Sequence, residues 1–97
     1  MINEQYFEWL KNNPKGWAET TVKKYESAVR AVSKDMIDKG TISKPLYEMT
    51  KVELDAAIFL ILQDEDFLLK DAVGNKMYSN GIKQYRTYIA SSDYSSV

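Results

Sequence analysis

Cysteine and histidine are both missing from this 97-residue sequence. Without cysteine there can be no disulfide and no thiolate metal site. Without histidine the chain loses the usual general base and the commonest metal ligand, so Ser-His-Asp and Cys-His arrangements are excluded. A carboxylate site is the one remaining route to catalysis. A basic excess is missing as well. Thirteen Lys and Arg stand against fourteen Asp and Glu, a net charge of −1, whereas phosphate contacts supply most of the affinity of a free-standing nucleic-acid binder. The longest apolar run, Ala56 to Leu62, is far too short to span a bilayer. The opening Met1-Ile2-Asn3-Glu4-Gln5 has no basic-then-apolar signal pattern. These features predict a cytoplasmic protein with no membrane partner, no metal and no cofactor.

What is present is helical patterning. Tyr6, Phe7, Trp9 and Leu10 give Glu4–Lys11 the spacing of a short amphipathic helix. Asn3 is placed to cap it, and Asn12-Asn13-Pro14-Lys15-Gly16 ends it. The clearest helix runs from Thr20 or Thr21 to about Asp38, where Val22, Tyr25, Val29, Val32 and Met36 build one apolar stripe. Lys39-Gly40 stops it. A loop follows, with one short turn around Pro45-Leu46-Tyr47. Thr50-Lys51-Val52-Glu53 then has capping-box spacing. It opens a helix to Leu62 that is apolar almost all round, the mark of the central helix of a bundle.

Asp64-Glu65-Asp66 interrupts, Phe67 to Val73 reads as a short helix or ordered loop, and Gly74-Asn75 as a turn. A last helix runs from Met77 or Ser79 to Ala90, with Tyr78, Ile82, Tyr85 and Ile89 on one face and Gly81 beside them. Gly81 permits a close helix–helix approach or is a mild weakness in the helix. Residues 91–97 have the composition of a linker to a following domain. The fold class is all-α: a compact bundle of four to five helices over residues 1–90.

Candidate chemistry is sparse. Asp64-Glu65-Asp66 is the densest acidic cluster, but adjacent carboxylates do not converge on a cation, and a solvated loop is the plain reading. Gly74-Asn75-Lys76 lacks the second glycine and the Lys-Ser/Thr pair of a phosphate loop. On the long helix, Lys23, Ser27, Arg30 and Lys34 fall within about 60° of one another, with Lys24 beside them and Glu19 and Glu26 bordering. Such a stripe suits a phosphate backbone, and its ordinary alternative is a solvated helix face. Lys76, Asn80, Lys83, Gln84 and Thr87 share the exposed side of the last helix, with Arg86 at its margin. Trp17 either caps the bundle or presents an aromatic surface to a partner.

The order of elements resembles a known family. Tyr6-Phe7-Glu8-Trp9-Leu10, a short loop, then Thr20-Thr21-Val22-Lys23-Lys24-Tyr25 is similar to the SAM-like core-binding domain of tyrosine recombinases. Met49-Thr50 takes the place of that domain's Leu-Thr signal. Gly74-Asn75-Lys76-Met77-Tyr78-Ser79, continuing to Tyr85, resembles the N-terminal helical domains of bacterial restriction endonucleases of the McrBC and HNH types. The resemblance implies SAM-like topology and a non-catalytic domain that helps a restriction-type endonuclease or recombinase bind or position double-stranded DNA. Carried over by position, Thr21, Lys23, Lys24, Ser27, Arg30 and Lys34 would face the duplex, with Lys76, Ser79, Lys83 and Arg86 as secondary contacts. The net charge departs from the usual basic pattern, so the expected binding by this domain alone is weak. The other partner implied is a catalytic domain of the same chain. Two alternatives stand beside this reading. One is an interaction module using the apolar Ala57–Leu62 segment to form a homodimer or to dock within its own protein. The other is a small phage-type inhibitor.

Overall fold

The structure, a computed structural model, describes residues 3–95, with side chains to Ser91. Five α-helices follow in order: α1 (Glu4–Lys11), α2 (Glu19–Lys39), α3 (Lys51–Ile61), α4 (Glu65–Val73) and α5 (Met77–Ser95). A 3-10 turn, Leu46–Glu48, lies between α2 and α3, and no strand occurs among the described residues. The all-α expectation holds, and so do several local signals. The Asn3 side chain accepts the Tyr6 N–H at the start of α1. Thr50 and Glu53 satisfy each other's backbone amides in a full capping box. Gly40 ends α2 in the left-handed region at φ 81°, where a side chain is disfavoured.

Boundaries shift in three places. α2 starts at Glu19, behind Ala18, which supplies no side-chain cap. α4 starts before Phe67 because the Asp64 side chain accepts the Phe67 N–H, turning the acidic cluster into a helix cap and first turn. α5 continues past Ala90 to Ser95, since no glycine or proline occurs after Gly81 to stop it. Ser96 and Val97 of the expected linker lie outside the described residues.

α2 and α5 share the largest contact in the bundle, with α1 against both and α3 against α5. Gly81 is where the two central helices meet. A Cβ built there would lie 2.9 Å from Ala28 Cβ and 2.9 Å from the Tyr25 carbonyl oxygen. Its missing side chain is therefore what lets the backbones close. The central position expected for α3 belongs instead to α2 and α5. α3 packs Leu54, Ala57, Ile58 and Ile61 inward, while Val52 and Phe59 on its opposite side are 79% and 66% exposed. All-round apolarity here marks a helix with two apolar faces, of which the domain covers one.

An aromatic cluster closes one end of the core. The rings of Tyr47 and Tyr6 lie 4.9 and 5.1 Å from that of Tyr85, with Trp9 and Tyr88 alongside. The buried Tyr6 hydroxyl donates to the Gly81 carbonyl at 2.8 Å. Trp17 caps the bundle, packed edge-on against Tyr25 with the Lys15 ammonium over its ring. Burial pushes the phenol of Tyr85 up to about 12, and those of Tyr6 and Tyr47 rise further, first through burial and then through neighbouring groups including Glu26. Folded-state values above the unfolded one mean stability that is complete below about pH 10. It is lost as the pH climbs from there through the folded values. Alkaline titration should therefore show the last tyrosinate absorbance appearing together with the loss of helical circular dichroism. Full ionisation of all seven tyrosines while the helices persist would contradict this packing.

Candidate nucleic-acid interface

The outward face of α2 carries Lys23, Ser27 and Lys34 in the open, with Arg30 half-exposed beside them. Its charge differs from expectation at one residue. Glu26 lies beneath this face, 1% exposed, at the floor of a shallow cleft that Lys23, Lys24, Ser27 and Arg30 also line. There it accepts the Asn3 N–H at 3.0 Å and the Tyr47 hydroxyl at 2.8 Å. It also takes the Arg30 Nε and Nη2 groups at 3.0 and 2.8 Å. That hydrogen bond holds the Arg30 guanidinium above its ordinary pKa. Arg30 is thus chiefly a partner for a buried carboxylate, and little of its charge is free for phosphate. Lys23 sits 3.8 Å from Glu19 across one exposed turn, a contact worth little. Ser27 donates its hydroxyl to the Lys24 carbonyl.

The Gly74–Ser79 segment proves to be a built corner between α4 and α5. Asn75 and Lys76 both take positive φ, 57° and 61°, which reverses the chain. The Lys76 N–H then donates to the Asp71 carbonyl. Asp71, itself buried, accepts the Ser79 N–H at 2.9 Å and so satisfies one of the free amides at the start of α5. A Cβ at Gly74 would crowd the Tyr78 ring at 3.3 Å, and the Lys70 ammonium lies over that ring at 5.1 Å. Ser79 is buried, with its hydroxyl turned to the Lys76 carbonyl. It is withdrawn from the surface on which the resemblance would use it, because the corner consumes it.

Folding brings two of the expected elements together. Thr21, Lys24 and Tyr25 of α2 and Gly74, Asn75, Met77 and Asn80 of the corner line one shallow cleft of about 390 Å³. Lys76 is exposed next to it in the chain. The remaining residues of α5 do not join this cleft. Lys83 lies about 200° around the helix from Gly81, the contact with α2. Arg86 turns towards α3, its Nε 3.0 Å from a buried oxygen of Asp55 at an angle outside hydrogen-bond geometry. Towards the other end of α2, Arg30 and Lys34 border a second cleft of about 440 Å³ with Ile37, Pro45 and Tyr47. Asp38 and Glu48 also line it, so its charge is mixed.

Ion pairing sorts the cations further. Among the described residues, Lys39, Lys44, Lys70 and Arg86 are matched to carboxylates, while Lys24, Lys34, Lys76 and Lys83 make no ion pair. Lys44, with the Thr50 N–H, holds the Glu53 carboxyl down at about 2. Lys39 does the same for Asp64, which is lowered first by that ammonium and then by the Phe67 N–H. Neither acidic position is thereby free to gather a cation. No group of three Asp or Glu among the described residues is placed to hold a metal, and no described helix is long and apolar enough to cross a membrane. No protein-family model, curated protein or solved structure matches the chain.

Proposed function

We propose that this chain is a non-catalytic helical domain that positions double-stranded DNA for a restriction-type endonuclease, through the outer face of α2 and the adjoining α4–α5 corner. The observation that carries the reading is the sorting of charge on α2. Of the two carboxylates expected to border its basic stripe, Glu26 is buried and matched to Arg30, which leaves Glu19 at the exposed end. Lys24 and Lys34, together with Lys76 of the corner, remain free of ion pairs. Lysines without carboxylate partners release counterions when they meet phosphate, and that release is the source of non-specific affinity. Asn75 and Asn80 beside Lys24 add amide groups able to grip a phosphate or a base edge. The topology proposed is the SAM-like arrangement suggested by the resemblance, and the catalytic part belongs to another domain.

Few free cations mean weak binding. The expected dissociation constant lies in or above the range of about 1–100 µM, with log K falling against log salt at a slope of about −3 for three to four phosphates neutralised. Fluorescence anisotropy with a labelled duplex at low salt measures both. Lys24→Glu/Lys34→Glu should lower affinity at least about tenfold and flatten the slope by about two. Lys11→Glu/Lys51→Glu, the same change of charge on other elements, should have much less effect. Equal loss from both pairs would reduce the reading to net charge, and no binding by the unaltered chain would end it. Arg30→Glu is a poor probe, because it would set a second carboxylate against buried Glu26.

A further inference from the structure

The outward side of α3 is apolar along its whole length. Val52, Ala56, Phe59 and Leu60 follow one another at spacings of four, three and one, on the side away from Leu54, Ile58 and Ile61. Leu68, Leu69 and Val73 of the next helix are exposed as well, Val73 at 88%. The charged residues flanking the α3 face are already neutralised within the chain. Glu53 is held by Lys44 at 2.8 Å, and Asp55 lies between Arg86 at 3.0 Å and Lys51 at 4.0 Å. The face therefore offers apolar surface inside a rim with little net charge.

We propose that this face binds a second copy of the same chain, α3 against α3, about a two-fold axis near Ala56. Three features select that occupant. The face is complementary to itself: with the helices antiparallel and the small Ala56 at the crossing, Phe59 of one copy lies towards Val52 of the other, large against small. An isologous contact needs this kind of self-match. The rim repels no identical rim, because its carboxylates and ammonium groups are paired internally, and a net charge of −1 adds little repulsion between copies. The area is also adequate. The exposed Val52, Phe59 and Leu60 side chains of α3 alone carry on the order of 300 Å² of apolar surface. That approaches the apolar half of the roughly 800 Å² per partner used by stable interfaces. The result is a reversible dimer, independent of whether α2 meets DNA.

The absence of cysteine makes the test direct. Sedimentation velocity across a concentration series should show a monomer converting to a dimer. Phe59→Glu should leave the helical signal intact and abolish the dimer, since Phe59 is exposed and supports nothing within the domain. Ala56→Cys, beside the axis, should cross-link to a covalent dimer under mild oxidation many times faster than Thr87→Cys on the outer side of α5. A chain that stays monomeric at every soluble concentration, with Ala56→Cys linking no faster than Thr87→Cys, overturns the proposal. So does a dimer that survives Phe59→Glu unchanged.

Discussion

Replacing Glu26 with alanine is expected to destabilise the domain by about 3 kcal/mol, a large part of the 5–15 kcal/mol typical of a whole domain. Glu26 ties three segments distant in sequence: the entry to α1 through the Asn3 N–H, α2 through Arg30, and the 3-10 turn through the Tyr47 hydroxyl. Alanine leaves the Asn3 amide without this acceptor and the Tyr47 hydroxyl with only the backbone carbonyl of residue 26, at 3.0 Å. Arg30, 38% exposed, can turn to water, which keeps the cost below that of stranding a fully buried charge. Thermal unfolding should show a fall in Tm of roughly 10–20 °C. Glu26→Gln keeps the volume and an acceptor oxygen and should lose clearly less. A Glu26→Ala variant as stable as the parent would mean that this carboxylate organises nothing.

The second large effect is expected at Gly81. On helix propensity alone, alanine would gain about 1 kcal/mol over glycine. The tertiary contact reverses the sign: the new Cβ meets Ala28 Cβ and the Tyr25 backbone carbonyl at 2.9 Å, and neither is a flexible tip that can swing aside. α2 and α5 would have to separate, loosening the Tyr6 hydroxyl bond to the Gly81 carbonyl at the same time. Gly81→Ala should therefore cost a net 1–2 kcal/mol or so, and Gly81→Val about 3 kcal/mol or more. Denaturant melts of the two variants measure this directly. A more stable Gly81→Ala protein would show that the glycine is a propensity defect and not a contact.

These two residues also mark how far the sequence could be read. Apolar spacing and capping residues located α1, α2, α3 and α5 and left α4 open between a helix and a loop, because such signals act within one or two turns of chain: Asn3, Thr50 with Glu53, and Gly40 each do the local work their type suggests. Less of the candidate site was legible. Lys24 and Lys34 lie on the surface where helical periodicity puts them. Glu26, assigned by the same periodicity to the edge of the stripe, is buried because Asn3, Tyr47 and Arg30 converge on it. Ser79 is lost to the surface because Asp71, eight residues earlier, takes its amide. The one available hint was that Glu26 stands four residues before Arg30, but that spacing is as common on solvated helices.

Composition and local pattern alone thus determined a helical chain without thiol or imidazole chemistry, since both follow from side-chain type and from interactions a few residues apart. Which helix is central, which face of α3 stays bare and which charges remain unspent were decided only by tertiary structure. Those properties depend on contacts such as Gly81 with Ala28 and Glu26 with Tyr47, whose partners lie 53 and 21 residues apart. No periodicity along a single helix reports them.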